Sequence, residues 1–267
     1  MRKTLLTLSL LAATASASAA TVTLVASDNF DSYSTGALAG QDGGTGFDGA
    51  WSAANSTSVI TTVGGDSPMS GNAARFANPN SDNAATRTLD TALTGDVLVS
   101  FVFQFDGGLI GNNDFLGLWF GSTTGPNIGL KANCGPTGSC TADIFARTNG
   151  TDGTFTKNLT MGETVRVFGL LQKVDGSLVY NRYSLWVDPL QPDIESLSNA
   201  NAVFNGASNI SSFMEIGFRS ANLDTGNPVD SLLVDNLRIS AVPEPASLGL
   251  VGLGLLSAAA ARRRKKA

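Results

Sequence analysis

The side chains that could do chemistry in this 267-residue chain are few. Carboxylates come first. Cleavage of a glycan by a carboxylate pair needs an acid and a nucleophile about 5 Å apart. The chain has only four glutamates, Glu163, Glu195, Glu215 and Glu244, so such a pair would have to come from aspartates on separate strands. There is no histidine, which removes Ser-His-Asp and Cys-His catalysis and every His-ligated metal site. Cys134 and Cys140 enclose five residues. In an oxidising compartment that spacing reads as a disulfide closing a small turn, worth about 2 kcal/mol. A metal site built on the same pair lacks further soft ligands.

Oxygen donors and aromatics complete the set. Asp28, Asp31 and Asp235 are candidate ligands for a structural Ca²⁺, a hard cation that needs six to eight oxygens. The alternative is that they are turn formers bonding to nearby backbone. Asn112-Asn113-Asp114 and Asp224-Thr225-Gly226-Asn227 read as such turns. Trp51 follows a glycine-rich loop and is the candidate platform for a sugar ring; Trp119 and Trp186 read as packing residues. Gly43-Gly44 and Gly107-Gly108 mark turns, without the spacing of a phosphate-binding loop.

The elements that must position these groups are strands. Helix-period apolar stripes are absent, so no helix is expected in the body. Val97–Phe105, Phe115–Phe120, Ile144–Ala146, Thr164–Val174, Leu178–Val187, Phe213–Phe218 and Leu232–Ile239 are rich in β-branched and aromatic residues. Val22–Val25, Val59–Val63, Ala74–Ala77 and Thr86–Leu89 are weaker candidates, and Asp175-Gly176 is a hairpin-turn signal. About a dozen short strands separated by Gly, Asn and Asp turns predict an all-β fold, a two-sheet antiparallel β-sandwich.

Four segments resemble the concanavalin A-like (laminin-G-like) jelly roll: Asn29-Phe30-Asp31-Ser32-Tyr33, Gly43-Gly44-Thr45-Gly46-Phe47 with Trp51, Leu185-Trp186-Val187-Asp188-Pro189, and Val234-Asp235-Asn236-Leu237-Arg238-Ile239. The resemblance implies that the first and last strands are neighbours, which would bring Asp28 and Asp31 to Asp235. Enzymes on that fold typically carry Glu-x-Asp-x-x-Glu on one strand. No glutamate here begins that motif, and Glu215 is followed by Ile216-Gly217-Phe218-Arg219. No catalytic residue carries over, and the body is expected to be non-enzymatic.

Both ends read as sorting signals. Met1-Arg2-Lys3, the apolar Leu5–Ala13 and the small residues near Ala19 form a signal peptide over 1–20, a substrate for signal peptidase. At the other end, Val242-Pro243-Glu244-Pro245 precedes a 16-residue apolar run, 246–261, and the basic Arg262-Arg263-Arg264-Lys265-Lys266. The run is short for a span of about 20 residues, but the basic side chains extend its reach and hold their end in the cytoplasm. Residues 242–267 resemble the PEP-CTERM sorting signal. That resemblance implies that Pro243, Glu244 and Pro245 are recognised by an exosortase, a membrane transpeptidase-like enzyme. It also implies an inner-membrane-anchored stage with the body in the periplasm, followed by release or transfer to the cell surface or matrix.

The body, residues 21–241, contains ten basic and 21 acidic residues, a net charge of −11. Such acidity excludes nucleic acid and anionic membrane surfaces as partners. The expectation is an exported surface or matrix protein whose partner is polysaccharide. The alternative is a structural or adhesive protein acting through protein–protein contacts; a glycan-cleaving enzyme with a dispersed aspartate pair ranks third.

Overall fold

Alternating apolar and polar positions dominate the body and produce sixteen strands and one short helix among the described residues. The computed structural model describes residues 22–53, 58–64, 68–77, 82–107, 110–111, 113–132, 142–150, 153–223 and 230–243. In chain order the first eight strands are β1 (Thr23–Asp28), β2 (Gly36–Ala37), β3 (Phe47–Ser52), β4 (Ser58–Val63), β5 (Gly71–Phe76), β6 (Asp82–Leu93), β7 (Asp96–Asp106) and β8 (Phe115–Phe120). Then come β9 (Asn127–Lys131), β10 (Ile144–Arg147), β11 (Thr154–Thr156), β12 (Thr164–Gln172) and β13 (Arg182–Val187). Helix α1 (Gln191–Ser196) precedes β14 (Ala202–Asn205), β15 (Phe213–Ala221) and β16 (Ser231–Val242).

The strands make two antiparallel sheets. The first runs β14-β13-β12-β7-β16-β5-β4-β2, with β1 also on β16. The second runs β11-β10-β9-β8-β15-β6-β3. Their facing sides bury one apolar core. On β7, Val97, Val99, Phe101, Phe103 and Phe105 enter it, with Val165, Val167 and Leu171 from β12 beside them and Leu116, Leu118, Phe120, Ile216 and Phe218 opposite. The expected sandwich is therefore the observed architecture, and the first and last strands do pair, Thr23 opposite Ala241.

β16 has two neighbours on one side. Leu232–Val234 pair with β5, and Leu237–Ala241 pair with β1. Between these stretches its register against β7 slips at Asp235/Arg238. Asn236 sits there with φ 54°, the positive-φ position of a bulge, and its side-chain amide donates to the Pro68 carbonyl at 2.9 Å. The bulge changes which residues of β16 face outward.

Among the described residues, two apolar clusters cover parts of the first sheet's outer face. At one end Met69 packs on Val102 and Leu233. At the other, Ile194 and Leu197 of the α1 segment pack with Leu98, Leu170 and Trp186. Among the described residues α1 is the only helix, and none was expected. It is six residues long, has proline in its first turn, ends on Leu197 at φ 51°, and buries no side chain completely. Its signal is too short to register as periodicity.

Two further boundaries differ from expectation. Asp175 and Gly176 do form a turn, with φ 56° and 74°, but β13 begins only at Arg182 because residues 177–181 form a loop. β2, β3, β9, β11 and β14 carry weak alternation, with glycine or polar residues inside them, and were not anticipated. Cys134, Cys140, the signal peptide, Glu244, Pro245, the apolar run 246–261 and Arg262, Arg263, Arg264, Lys265 and Lys266 lie outside the described residues. Among those described, no helix is long and apolar enough to cross a membrane.

Candidate functional site

Asp28 closes β1 and is almost wholly buried, at 2% exposure. Its Oδ1 accepts from the Phe30 amide at 2.9 Å. Its Oδ2 accepts from the Tyr33 hydroxyl, from Trp51 Nε1 at 2.9 Å and from Arg87 Nη1 at 2.9 Å. Arg87 comes from β6, lies over the Phe47 ring at 4.3 Å, and also donates to the Gly49 carbonyl and to Asp42. Burial and the hydrogen bond to Asp28 push the Tyr33 hydroxyl up to about 12.

This arrangement corrects two expectations. Asp28 faces a guanidinium and three other donors, so its oxygens serve an internal ion pair and not a metal ion. Asp31, at the surface, accepts from the Asn72 amide at 3.0 Å and from Asn29. Asp235 is 1% exposed and is capped by the amide and side chain of Asn236. The fold does bring the three carboxylates near one another. Burial, with the nearby charges of Asp31 and Asp28, raises the Asp235 carboxyl from 3.8 to about 7, against the lowering effect of the Asn236 and Ser70 amides. The donor set does not fit Ca²⁺, and among the described residues no group of three or more Asp, Glu, Cys or His is arranged to hold a metal ion.

The second correction concerns Trp51. It is 1% exposed, with its indole beside Phe30, Phe47 and Phe218, so no ring face is open to a sugar. The glycine-rich loop before it explains why. Gly46 has φ 79°, and a Cβ there would sit 1.9 Å from the Val25 carbonyl oxygen. The loop therefore closes against β1, bridging Ser27 and Thr45, and carries Trp51 inward. Trp186 also packs as expected, buried beneath the α1 segment with its Nε1 donating to Ser198.

The open feature lies on the first sheet's outer face, between the Pro68 loop and α1. It is a groove of about 480 Å³ whose floor includes Ser100, Arg166, Phe168, Arg238 and Ser240, with Gln191 and Ile194 on one wall. The registers align Phe168, Ser100 and Arg238 in one row across β12, β7 and β16, and set Arg166 opposite Val102. Arg166 and Arg238 are exposed, Ser100 and Phe168 half-buried. Neither arginine has a salt bridge among the described residues. Sequence reasoning did not single out these residues. The available signal was polar or charged residues at alternate positions of strands too apolar to lie at an edge.

These features define an all-β jelly-roll-like sandwich with a polar groove on one face. Beyond it, residues 241–265 match the PEP-CTERM protein-sorting motif, of which Pro243 is the last described residue, exposed just after β16. A search of curated proteins finds no match. Similar solved structures include the alginate lyase Aly36B, at 13% identity and TM-score 0.48, covering 81% of this chain and 97% of that one. Domain 4 of AbnA, an extracellular arabinanase from Geobacillus stearothermophilus in complex with arabinotriose, matches at 11% identity and TM-score 0.45, covering 83% and 93%. The carbohydrate recognition domain of Emp47p matches at 11% identity and TM-score 0.41, covering 72% and 89%.

Proposed function

We propose that the chain is an exported, non-enzymatic surface or matrix protein, sorted by an exosortase through Pro243-Glu244-Pro245, whose sandwich binds polysaccharide. The carrying observation is the groove. A sugar offers an apolar ring face and many hydroxyls, and the groove sets Phe168 among Ser100, Ser240, Gln191 and two arginines. The non-enzymatic reading is supported by the absence of histidine from the chain and by the absence, among the described residues, of any acidic side chain from the groove lining. Sorting supports the partner class: a chain carrying this motif is held at a membrane until exosortase processing, then delivered where polysaccharide lies.

The test is titration of the full chain against a polysaccharide panel that includes the host's own matrix. Saturable binding, weakened by Phe168→Ala and unchanged by chelator, is the expected result. Absence of binding to every polymer would overturn the reading.

A further inference from the structure

We infer that the groove selects a carboxylate-bearing polysaccharide, with Arg166 and Arg238 each holding a carboxylate and Phe168 supporting a sugar ring between them. The inference rests on the polysaccharide reading above and narrows it to one chemical class.

Charge carries the argument. The body has more than two acidic residues for each basic one, so acidic side chains are plentiful as ion-pair partners. Lys157, partly exposed, pairs with Glu163 at 2.7 Å and Asp188 at 3.7 Å, and the buried Arg87 pairs with Asp28 and Asp42. Arg166 and Arg238 are exposed and have no such partner among the described residues, although α1 stands beside them. The helix's acids bond elsewhere: Asp193 accepts from Asn199 and Glu195 from Gln191. Two free guanidiniums thus meet over one groove, each presenting a planar fork that matches a carboxylate in two parallel hydrogen bonds.

Spacing suits a polymer. From the registers, the Cα positions of Arg166 and Arg238 lie about 12 Å apart, diagonal across three strands. Phe168 lies on the Arg238 row, next to Arg166 on the outward side of β12. The site also continues. Asn236 and Arg238 line a second cavity of about 460 Å³, where Ser27, Asn29, Ser32 and Thr45 supply hydroxyls and an amide, and where the lining carboxylate Asp28 is paired with Arg87. A single sugar would fill part of one cavity, whereas an extended chain passing Arg238 uses both. Repulsion from acidic groups of the body farther than about 8 Å from the track is screened at physiological salt.

The test uses the full chain in detergent with polygalacturonate, the same polymer with its carboxyls reduced to alcohols, and duplex DNA, followed by calorimetry. Polygalacturonate should bind, and the reduced polymer should bind at least tenfold more weakly. Arg166→Ala and Arg238→Ala should each weaken binding about tenfold or more, since each removes charge-assisted hydrogen bonds, without lowering the melting temperature. Arg238→Lys should recover only part of the loss. Equal affinity for the reduced polymer, or wild-type affinity in both alanine variants, overturns this inference and leaves the polysaccharide reading standing. Arginine-dependent binding of DNA at the same affinity also overturns it, marking an unspecific polyanion site. Binding to neither polymer overturns this inference, and the polysaccharide reading falls with it only if the wider panel also fails to bind.

Discussion

Arg87→Met tests the internal ion pair that displaced the expected cation site. The substitution keeps an unbranched apolar stem against Phe47 and Trp51 but removes the guanidinium that faces Asp28 at 2.9 Å. Both side chains are about 1% exposed or less, so Asp28 would be left as a buried, uncompensated carboxylate. Breaking a buried pair from one side costs about 3–5 kcal/mol. At a urea m-value of about 2 kcal/mol per M, a cost in that range lowers the unfolding midpoint by about 2 M. Asp28→Asn alone should also destabilise, because Arg87 then keeps only the Gly49 carbonyl and the largely exposed Asp42 as strong acceptors. The double variant should recover part of the loss, giving a coupling of about 2 kcal/mol or more. Trp51, which bonds to Asp28, is a local fluorescence reporter for the transition. A cost below about 1 kcal/mol for Arg87→Met, or simple additivity of the two substitutions, would refute the reasoning.

Asp235 predicts a pH dependence of the opposite sense to an ordinary salt-bridged carboxylate. Its folded pKa of about 7 lies above the unfolded value of 3.8, so the native state holds the extra proton. The contribution is fully present below about pH 4 and is lost as pH rises through 7, an effect of up to about 4 kcal/mol. Asp235→Asn should flatten that part of the urea-midpoint profile, and an unchanged slope would count against it. Gly217→Ala should lower stability by at least about 2 kcal/mol in a thermal melt, since its Cβ would lie 2.4 Å from the Trp119 ring and 2.6 Å from the Ala85 carbonyl oxygen. Peptide mapping without reductant should recover Cys134 and Cys140 linked, and Cys→Ser at both should cost about 2 kcal/mol. In an exosortase-containing host, Glu244→Ala should accumulate unprocessed precursor on immunoblots.

The sequence revealed the sandwich because its central strands repeat at period two over long stretches. β7 alternates core phenylalanines and valines with Leu98, Ser100 and Val102 for eleven residues. It concealed α1, whose six residues cannot display a helical period, and β2, where two residues pair with β4 by backbone alone. The proximity of Asp28, Asp31 and Asp235 was legible from the strand neighbourhood that the jelly-roll resemblance implies, and their chemistry was not. Arg87 is 59 residues from Asp28, and no local pattern announces which distant cation enters a core. Trp51 was misjudged for a related reason: glycine marks a turn, but its positive φ and missing Cβ allowed close packing rather than exposure. The groove escaped notice because its residues unite only once β12, β7 and β16 are in register and the bulge has turned Arg238 outward.

The position of β16 bears on how force would pass through the protein. This strand leads directly to Pro243 and the sorting segment, and it is bonded along its length to β7 on one flank and to β5 and β1 on the other. A pull on the C-terminal end acts along the strand, so the ladder is loaded in shear and many hydrogen bonds share the tension at once. An edge strand would peel, yielding one bond at a time. Arg238 stands on the same strand, five residues before Pro243. A polymer gripped there and a tether attached beyond Pro243 would be joined by a load path of one short segment, leaving the second sheet almost unstressed.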